Sequence, residues 1–177
     1  MNITVYLGAS EGNDPKYRSA VVELGRSIGE SGNTLVYGGS AAGLMGALAK
    51  SALEAGAKVI GVEPRFFVES AMQLEGLTEL IVAEDMPQRK TKMIELGDAF
   101  VVFPGGTGTL DEASEILSLT SLELLDAPCV FYNLDGYYEP LRRFLEQMKA
   151  CGFSNEERLR RVFFADSLTE LRHTIGF

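Results

Sequence analysis

Residues 99–112, "AFVVFPGGTGTLDE", decide the fold. Ala99–Phe103 is a short, wholly apolar run, which reads as a strand buried on both faces. Three glycines and two threonines follow, and then two acids open a helical pattern over Thr109–Leu125. A strand that empties through a glycine-rich loop into a helix is the unit of a parallel α/β sheet. The unpaired amides at the start of such a helix favour an anion, phosphate above all. The loop runs straight into Asp111 and Glu112, and two readings of those acids stand side by side. In one, Thr109 is an N-cap and Glu112 closes a capping box. In the other, phosphate sits on the loop amides and Glu112 faces the sugar next to it.

The same alternation runs outward in both directions. Ile3–Leu7, Leu35–Tyr37, Lys58–Val62, Leu77–Ala83, Pro128–Tyr132 and Val162–Phe164 read as further strands. Pro15–Ser31, Leu44–Ala55, Pro87–Gly97, Tyr138–Cys151 and a segment from Ser167 read as helices, and Phe66–Gly76 as loop with a short helix. Strands alternating with helices predict one Rossmann-like, doubly wound parallel sheet with helices on both faces, spanning residues 1–177 as a single domain. In such sheets ligands bind at the carboxyl ends of the strands. Three glycine-rich loops fall there: "YLGASEG", "YGGSAAGLMG" and "FPGGTGTLDE". Any one alone reads as a tight turn. Three at one sheet edge predict a nucleotide-sized pocket.

Composition narrows the partners. The 177 residues are 46% hydrophobic and 23% charged, with 16 basic and 25 acidic side chains and a net charge of −9. That balance argues against coating a nucleic-acid polymer or an anionic membrane. No run of apolar residues reaches the roughly 18 that a membrane helix needs. "MNITVYLGAS" reads as a strand and not as a signal peptide. Cys129 and Cys151 form no disulfide framework or metal set, so a reducing cytoplasm is expected. The one histidine, His173, lies in a polar helical segment and reads as solvated, which leaves little room for histidine catalysis or a His-ligated metal. Neither metal nor cofactor is expected.

Known phosphate fingerprints do not fit. G-x-x-x-x-G-K-[ST] is absent, as is G-x-G-x-x-G after the first strand. The basic pair Arg89-Lys90 lies in "MPQRKTKM". Arginine can clamp phosphate or carboxylate through two donors. At Arg89 that reading and a solvated helix face weigh evenly, while Lys92 reads as solvated.

Three stretches together carry a family resemblance. "PGGTGTLDE" matches P-G-G-x-G-T-x-x-E, "YGGSAAGLMG" resembles G-G-G-x-x-G-L-M-G, and "MPQRKTKM" resembles M-H-E-R-K. The chain resembles, nearly end to end, the LOG family of cytokinin-activating phosphoribohydrolases, also labelled "lysine decarboxylase-like". The resemblance implies a Rossmann-like homodimer that hydrolyses the N-glycosidic bond of a nucleoside 5′-monophosphate, AMP or an N6-modified AMP, to free base and ribose 5-phosphate. It implies Glu112 and Arg89 as the catalytic pair, and the 5′-phosphate on Gly105, Gly106, Thr107, Gly108 and Thr109. Gly8, Ser10, Gly38, Gly39, Gly43, Met86, Lys90 and Ser118 complete the implied substrate-binding set. The chain departs from the family pattern at Ser40, Pro87, Gln88, Ala71 and Ser118–Ser121. The alternative reading is a non-catalytic carrier of a nucleotide derivative on the same fold. A lysine decarboxylase would need pyridoxal phosphate on a lysine, and Lys90 is the one tempting candidate.

Overall fold

The computed structural model describes residues 1–69 and 72–177; Ala71, one of the departures from the family pattern, lies outside them. The strands are β1 (Asn2–Tyr6), β2 (Thr34–Tyr37), β3 (Lys58–Pro64), β4 (Glu79–Ala83), β5 (Ala99–Val102), β6 (Cys129–Tyr132) and β7 (Val162–Ala165). The helices are α1 (Pro15–Glu30), α2 (Gly43–Glu54), α3 (Arg65–Val68), α4 (Met86–Leu96), α5 (Thr107–Ser121), α6 (Glu139–Ala150) and α7 (Leu168–Ile175).

Every strand pair is parallel, in the order β4-β3-β2-β1-β5-β6-β7. The chain winds from β1 outward to β4. It then crosses back to lay β5 against the other edge of β1, with Ile3 opposite Ala99 and Tyr6 opposite Val102. The switch point therefore lies between β1 and β5, where a doubly wound sheet opens a crevice.

Side-chain alternation along the strands splits the core in two. Ile3, Val5, Leu35, Tyr37, Val59 and Val101 face one layer, packed with Val21, Leu24, Leu48 and Leu171 from α1, α2 and α7. Tyr6, Val36, Val62, Phe100, Val102 and Phe131 face the other, packed with Met93 of α4 and Ala113 and Ile116 of α5. Both faces are thus covered, which is why the strands read as unbroken apolar runs.

Side-chain caps start three of the helices. The Asp14 carboxylate accepts from the Lys16 amide ahead of α1, Asp85 from Gln88 ahead of α4, and Ser167 from Glu170 ahead of α7. At α5 the start is made by backbone. Its N-cap is Gly106, with no side-chain cap, and the helix begins at Thr107. The expected start at Thr109 is two residues late. Thr109 is inside the first turn and does not cap it, so the capping-box reading of Glu112 fails.

Candidate active site

The switch point is built first from backbone. A side chain at Gly8 would meet the Gly105 Cα at 3.3 Å, so the loops after β1 and β5 touch through their bare glycines. One at Gly105 would collide with Thr109 Oγ1 and lie 2.7 Å from the Gly8 amide nitrogen. Two tyrosines pin this loop. Tyr137 Oη donates to the Gly105 carbonyl at 2.6 Å and Tyr138 Oη to the Phe103 carbonyl at 2.8 Å. The first backbone bond of α5 runs from the Leu110 amide to the Gly106 carbonyl, 3.1 Å. The amides of Thr107, Gly108 and Thr109 thus lie in the unpaired first turn. Nothing lies within 4 Å of where a side chain at Gly106 or Gly108 would stand. Packing does not require those two glycines; their bareness leaves the amides open to an anion.

One turn further along α5, Glu112 turns inward. Its Oε1 accepts from Arg89 Nη1 at 2.8 Å, and the two residues are only 5% and 6% exposed. Arg89 comes from α4, the other side of the chain crossover. Its Nε donates to the Val62 carbonyl at 3.0 Å, at the end of β3. The guanidinium also rests on Gly38 at the end of β2, where any side chain would strike Nη2. Four elements therefore fix one arginine. Burial raises the Glu112 pKa above the ordinary value of 4.5, and the charge and hydrogen bond of Arg89 pull it back down.

Glu63, two strands away on β3, was not anticipated from sequence. It is 1% exposed, and among the described residues its buried Oε2 has no hydrogen-bond partner. Its side chain lies against Gly39, which has a φ of +86° and no room for a Cβ: the Glu63 side-chain carbons would be 3.1–3.2 Å from it. Burial raises the Glu63 pKa, with Arg89 again opposing. A signal existed: an acid inside the apolar run "VIGVEP", at the same sheet edge as the glycine loops.

A cavity of about 630 Å³ joins these parts. Gly8, Ser10, Gly38, Met86, Arg89, Glu112 and the stretch Gly105–Thr109 line it, as does Glu63. Gly39, Gly43, Lys90 and Ser118 are not among its lining residues. Gly39 supports Glu63 from behind. Gly43 starts α2 at a φ of +50°, packed on the Ala9 carbonyl. Lys90, next to Arg89 in sequence, turns away to pair with Asp111 at 3.0 Å and Glu115 at 3.0 Å. Ser118 is exposed, two turns beyond Glu112. His173 sits in the last turn of α7. Among the described residues, no group of three or more His, Cys, Asp or Glu could hold a metal ion, and no helix is long and apolar enough to cross a membrane.

Strand order and cavity together define a Rossmann-like protein whose switch-point helix offers an anion site beside a buried carboxylate–guanidinium pair. The family described as "Possible lysine decarboxylase" matches residues 45–175. The chain belongs to this family, the LOG family. It is 46% identical over 155 residues to the "Cytokinin riboside 5'-monophosphate phosphoribohydrolase" of Rhodococcoides fascians, covering 86% of this chain and 77% of that one. To the "Cytokinin riboside 5'-monophosphate phosphoribohydrolase LOG" of Oryza sativa subsp. japonica it is 36% identical over 169 residues, 96% of this chain and 70% of that one. Among solved structures, the molybdenum cofactor carrier protein of Chlamydomonas reinhardtii superposes with a TM-score of 0.75 at 21% identity, covering 99% of this chain and 98% of that one. The molybdenum cofactor binding protein of Rippkaea orientalis gives 0.73 at 21%, with 99% and 94% covered. At that identity these two share the fold alone.

Proposed function

We propose that the protein is a nucleoside 5′-monophosphate phosphoribohydrolase: it cleaves the N-glycosidic bond of AMP, or of AMP substituted on its exocyclic nitrogen, to free base and ribose 5-phosphate. The observation that carries this reading is the buried Arg89–Glu112 pair on the wall of the cavity, one helical turn from the open amides of α5. Close relatives bearing the phosphoribohydrolase name support it.

The chemistry follows from the geometry. The 5′-phosphate takes the amides of Gly106–Thr109, where the helix dipole favours negative charge. The ribose then lies over Glu112. As the bond between C1′ and the base nitrogen lengthens, its electron pair leaves with the base and positive charge grows on the sugar ring. A carboxylate fixed beside that ring stabilises the charge as it forms. Water adds its oxygen to C1′, and the proton balance is met at the departing base. Arg89 opposes the rise that burial gives the Glu112 pKa and holds the carboxyl still. An arginine stays charged throughout, so it is not the acid that protonates the base.

The binding reading, a carrier of a nucleotide derivative, draws on the fold shared with molybdenum cofactor carrier proteins. It leaves Glu112 without a task, because a carboxylate buried at an anion site weakens anion binding unless it does chemistry. The decarboxylase reading has no lysine to use at the cavity, since Lys90 is held by Asp111 and Glu115. A homodimer in a reducing cytoplasm completes the proposal. Leu110, Leu122 and Leu124 on and just beyond α5 remain 51%, 63% and 71% exposed, apolar surface that a second copy would cover. Both cysteines are free.

The test is incubation with a panel of nucleoside 5′-monophosphates, scoring base and ribose 5-phosphate together. Release of both in equal amounts supports the hydrolase. Tight binding of a nucleotide without release supports the carrier. Light scattering of the purified protein reads the oligomer.

A further inference from the structure

The cavity has two unlike ends. One is the amide-lined loop at β1 and β5, which takes an anion. The other lies at the ends of β2 and β3, where Met45, Phe67 and Met72 present apolar surface and Glu63 supplies a carboxyl. Along the sheet the order is β3-β2-β1-β5. At about 4.8 Å per strand, β3 and β5 lie roughly 14 Å apart. Arg89 bridges them: Nη1 binds Glu112 on the anion side, and Nε binds the Val62 carbonyl, next to Glu63. The sequence of groups along the cavity is therefore phosphate loop, Glu112, Arg89, Glu63. A nucleotide with phosphate on the loop and ribose at Glu112 brings its base to Glu63.

Glu63 is an unusual neighbour for an apolar wall. It is almost wholly buried, lines the cavity, and has an oxygen with no hydrogen-bond partner among the described residues. Leaving a buried carboxyl oxygen unpaired costs stability. The Gly39 turn is kept bare to admit its side chain. A structural carboxyl would have been given a donor by its surroundings; this one faces a ligand space.

We propose, building on the hydrolase reading, that Glu63 contacts the base and selects bases that present an N–H donor at that edge. An amino-purine satisfies it: the carboxyl oxygen accepts from the exocyclic amine. A single substituent on that nitrogen still leaves one N–H for Glu63, while the substituent lies against Met45, Phe67 and Met72. Replacing both amine hydrogens removes the contact. Glutamine at this position presents the same carbonyl acceptor and preserves it; leucine abolishes it.

The experiment compares AMP with AMP dimethylated on its exocyclic nitrogen, and with purine riboside 5′-monophosphate, which lacks the amine. Wild type, Glu63→Gln and Glu63→Leu are assayed for kcat/KM and, by calorimetry, for binding. Wild type and Glu63→Gln are expected to favour AMP over both analogues by about ten- to a hundredfold, the worth of a buried contact to a polar group. Glu63→Leu is expected to lose that preference, with KM for AMP rising more than kcat falls. An unchanged AMP preference in Glu63→Leu, with AMP still hydrolysed, overturns the role of Glu63 and leaves the hydrolase reading standing. If no nucleotide is hydrolysed, the hydrolase reading falls and the same ratios of binding constants decide Glu63. Thermal melting guards the comparison: Glu63→Leu removes an unpaired buried carboxyl and is expected to melt at or above the wild-type temperature. If wild type binds none of the three nucleotides, the proposal is overturned.

Discussion

Arg89 Nη1 lies 2.8 Å from Glu112 Oε1, and both largely buried side chains form part of the cavity wall. The pair comes from two helices, α4 and α5, on the same face of the sheet. Removing either partner leaves the other as an uncompensated buried charge. Arg89→Ala is therefore expected to lose activity by at least about a hundredfold and stability by about 3–5 kcal/mol. Glu112→Gln keeps shape and one hydrogen bond but leaves the guanidinium without its counter-charge, so it is expected to lose activity together with a smaller loss of stability than Arg89→Ala. Because the two act as a unit, the double variant should be little slower than the worse single one. Steady-state kinetics and thermal melting on the three variants check this; additive losses would break the pairing.

Gly38→Ala tests the seat of the arginine. The added methyl has no room beside Arg89 Nη2. The strand end is rigid, so the guanidinium must move away from Glu112. Activity is expected to fall by an order of magnitude or more, because small misplacements at a reacting centre are costly. The far-ultraviolet circular dichroism should stay unchanged.

Lys90 provides the contrast. Its ammonium is taken up by Asp111 and Glu115 outside the cavity lining. Salt bridges of this partly exposed kind contribute about 0–1 kcal/mol. Lys90→Met is expected to keep kcat/KM within about threefold of wild type. A loss comparable to that of Arg89→Ala would place Lys90 in the chemistry.

Glu63 should make stability depend on pH. Arg89 and the Tyr37 hydroxyl, which donates to the Gly39 carbonyl, are the titratable neighbours turned towards it. Burial raises its pKa above the ordinary 4.5, more than Arg89 lowers it. A carboxyl with a raised folded-state pKa holds its proton more tightly in the folded chain. Its contribution is full below 4.5 and is lost as pH climbs through the raised value. Glu63→Gln is thus expected to melt like wild type in the acid range and increasingly above it as pH rises towards neutral. A gap of constant size across that range would contradict the assignment.

Much of the fold was legible because both sheet faces are covered. Runs such as "AFVVF" and "CVFY" have no other stable home than a buried strand. The anion loop was legible because glycines clustered at one sheet edge. Three features were not. The start of α5 was misplaced because Gly106 caps it with backbone alone, and a local motif, "TLDE", imitated a capping box. Arg89 was ambiguous because α4 is a polar helix that buries little besides Arg89 and Met93, four residues apart; that spacing was the available clue. Glu63 was overlooked because the groups that face it, Gly39 and Arg89, are distant in sequence.

The anion end can be probed without mutation. The loop amides account for phosphate recognition, so adenosine is expected to have a kcat/KM at least about a hundredfold below that of AMP, binding energy from the phosphate being used at the sugar. Inorganic phosphate should compete with AMP. Equal use of adenosine and AMP would displace phosphate from the α5 amides.

The most direct measurement is a product assay on AMP with wild type and Glu112→Gln side by side, with calorimetric binding on the same samples. The expected result is equimolar adenine and ribose 5-phosphate from wild type, and a variant that binds AMP but releases products at least about a hundredfold more slowly. Binding of AMP by wild type without cleavage, or undiminished cleavage by Glu112→Gln, would contradict it.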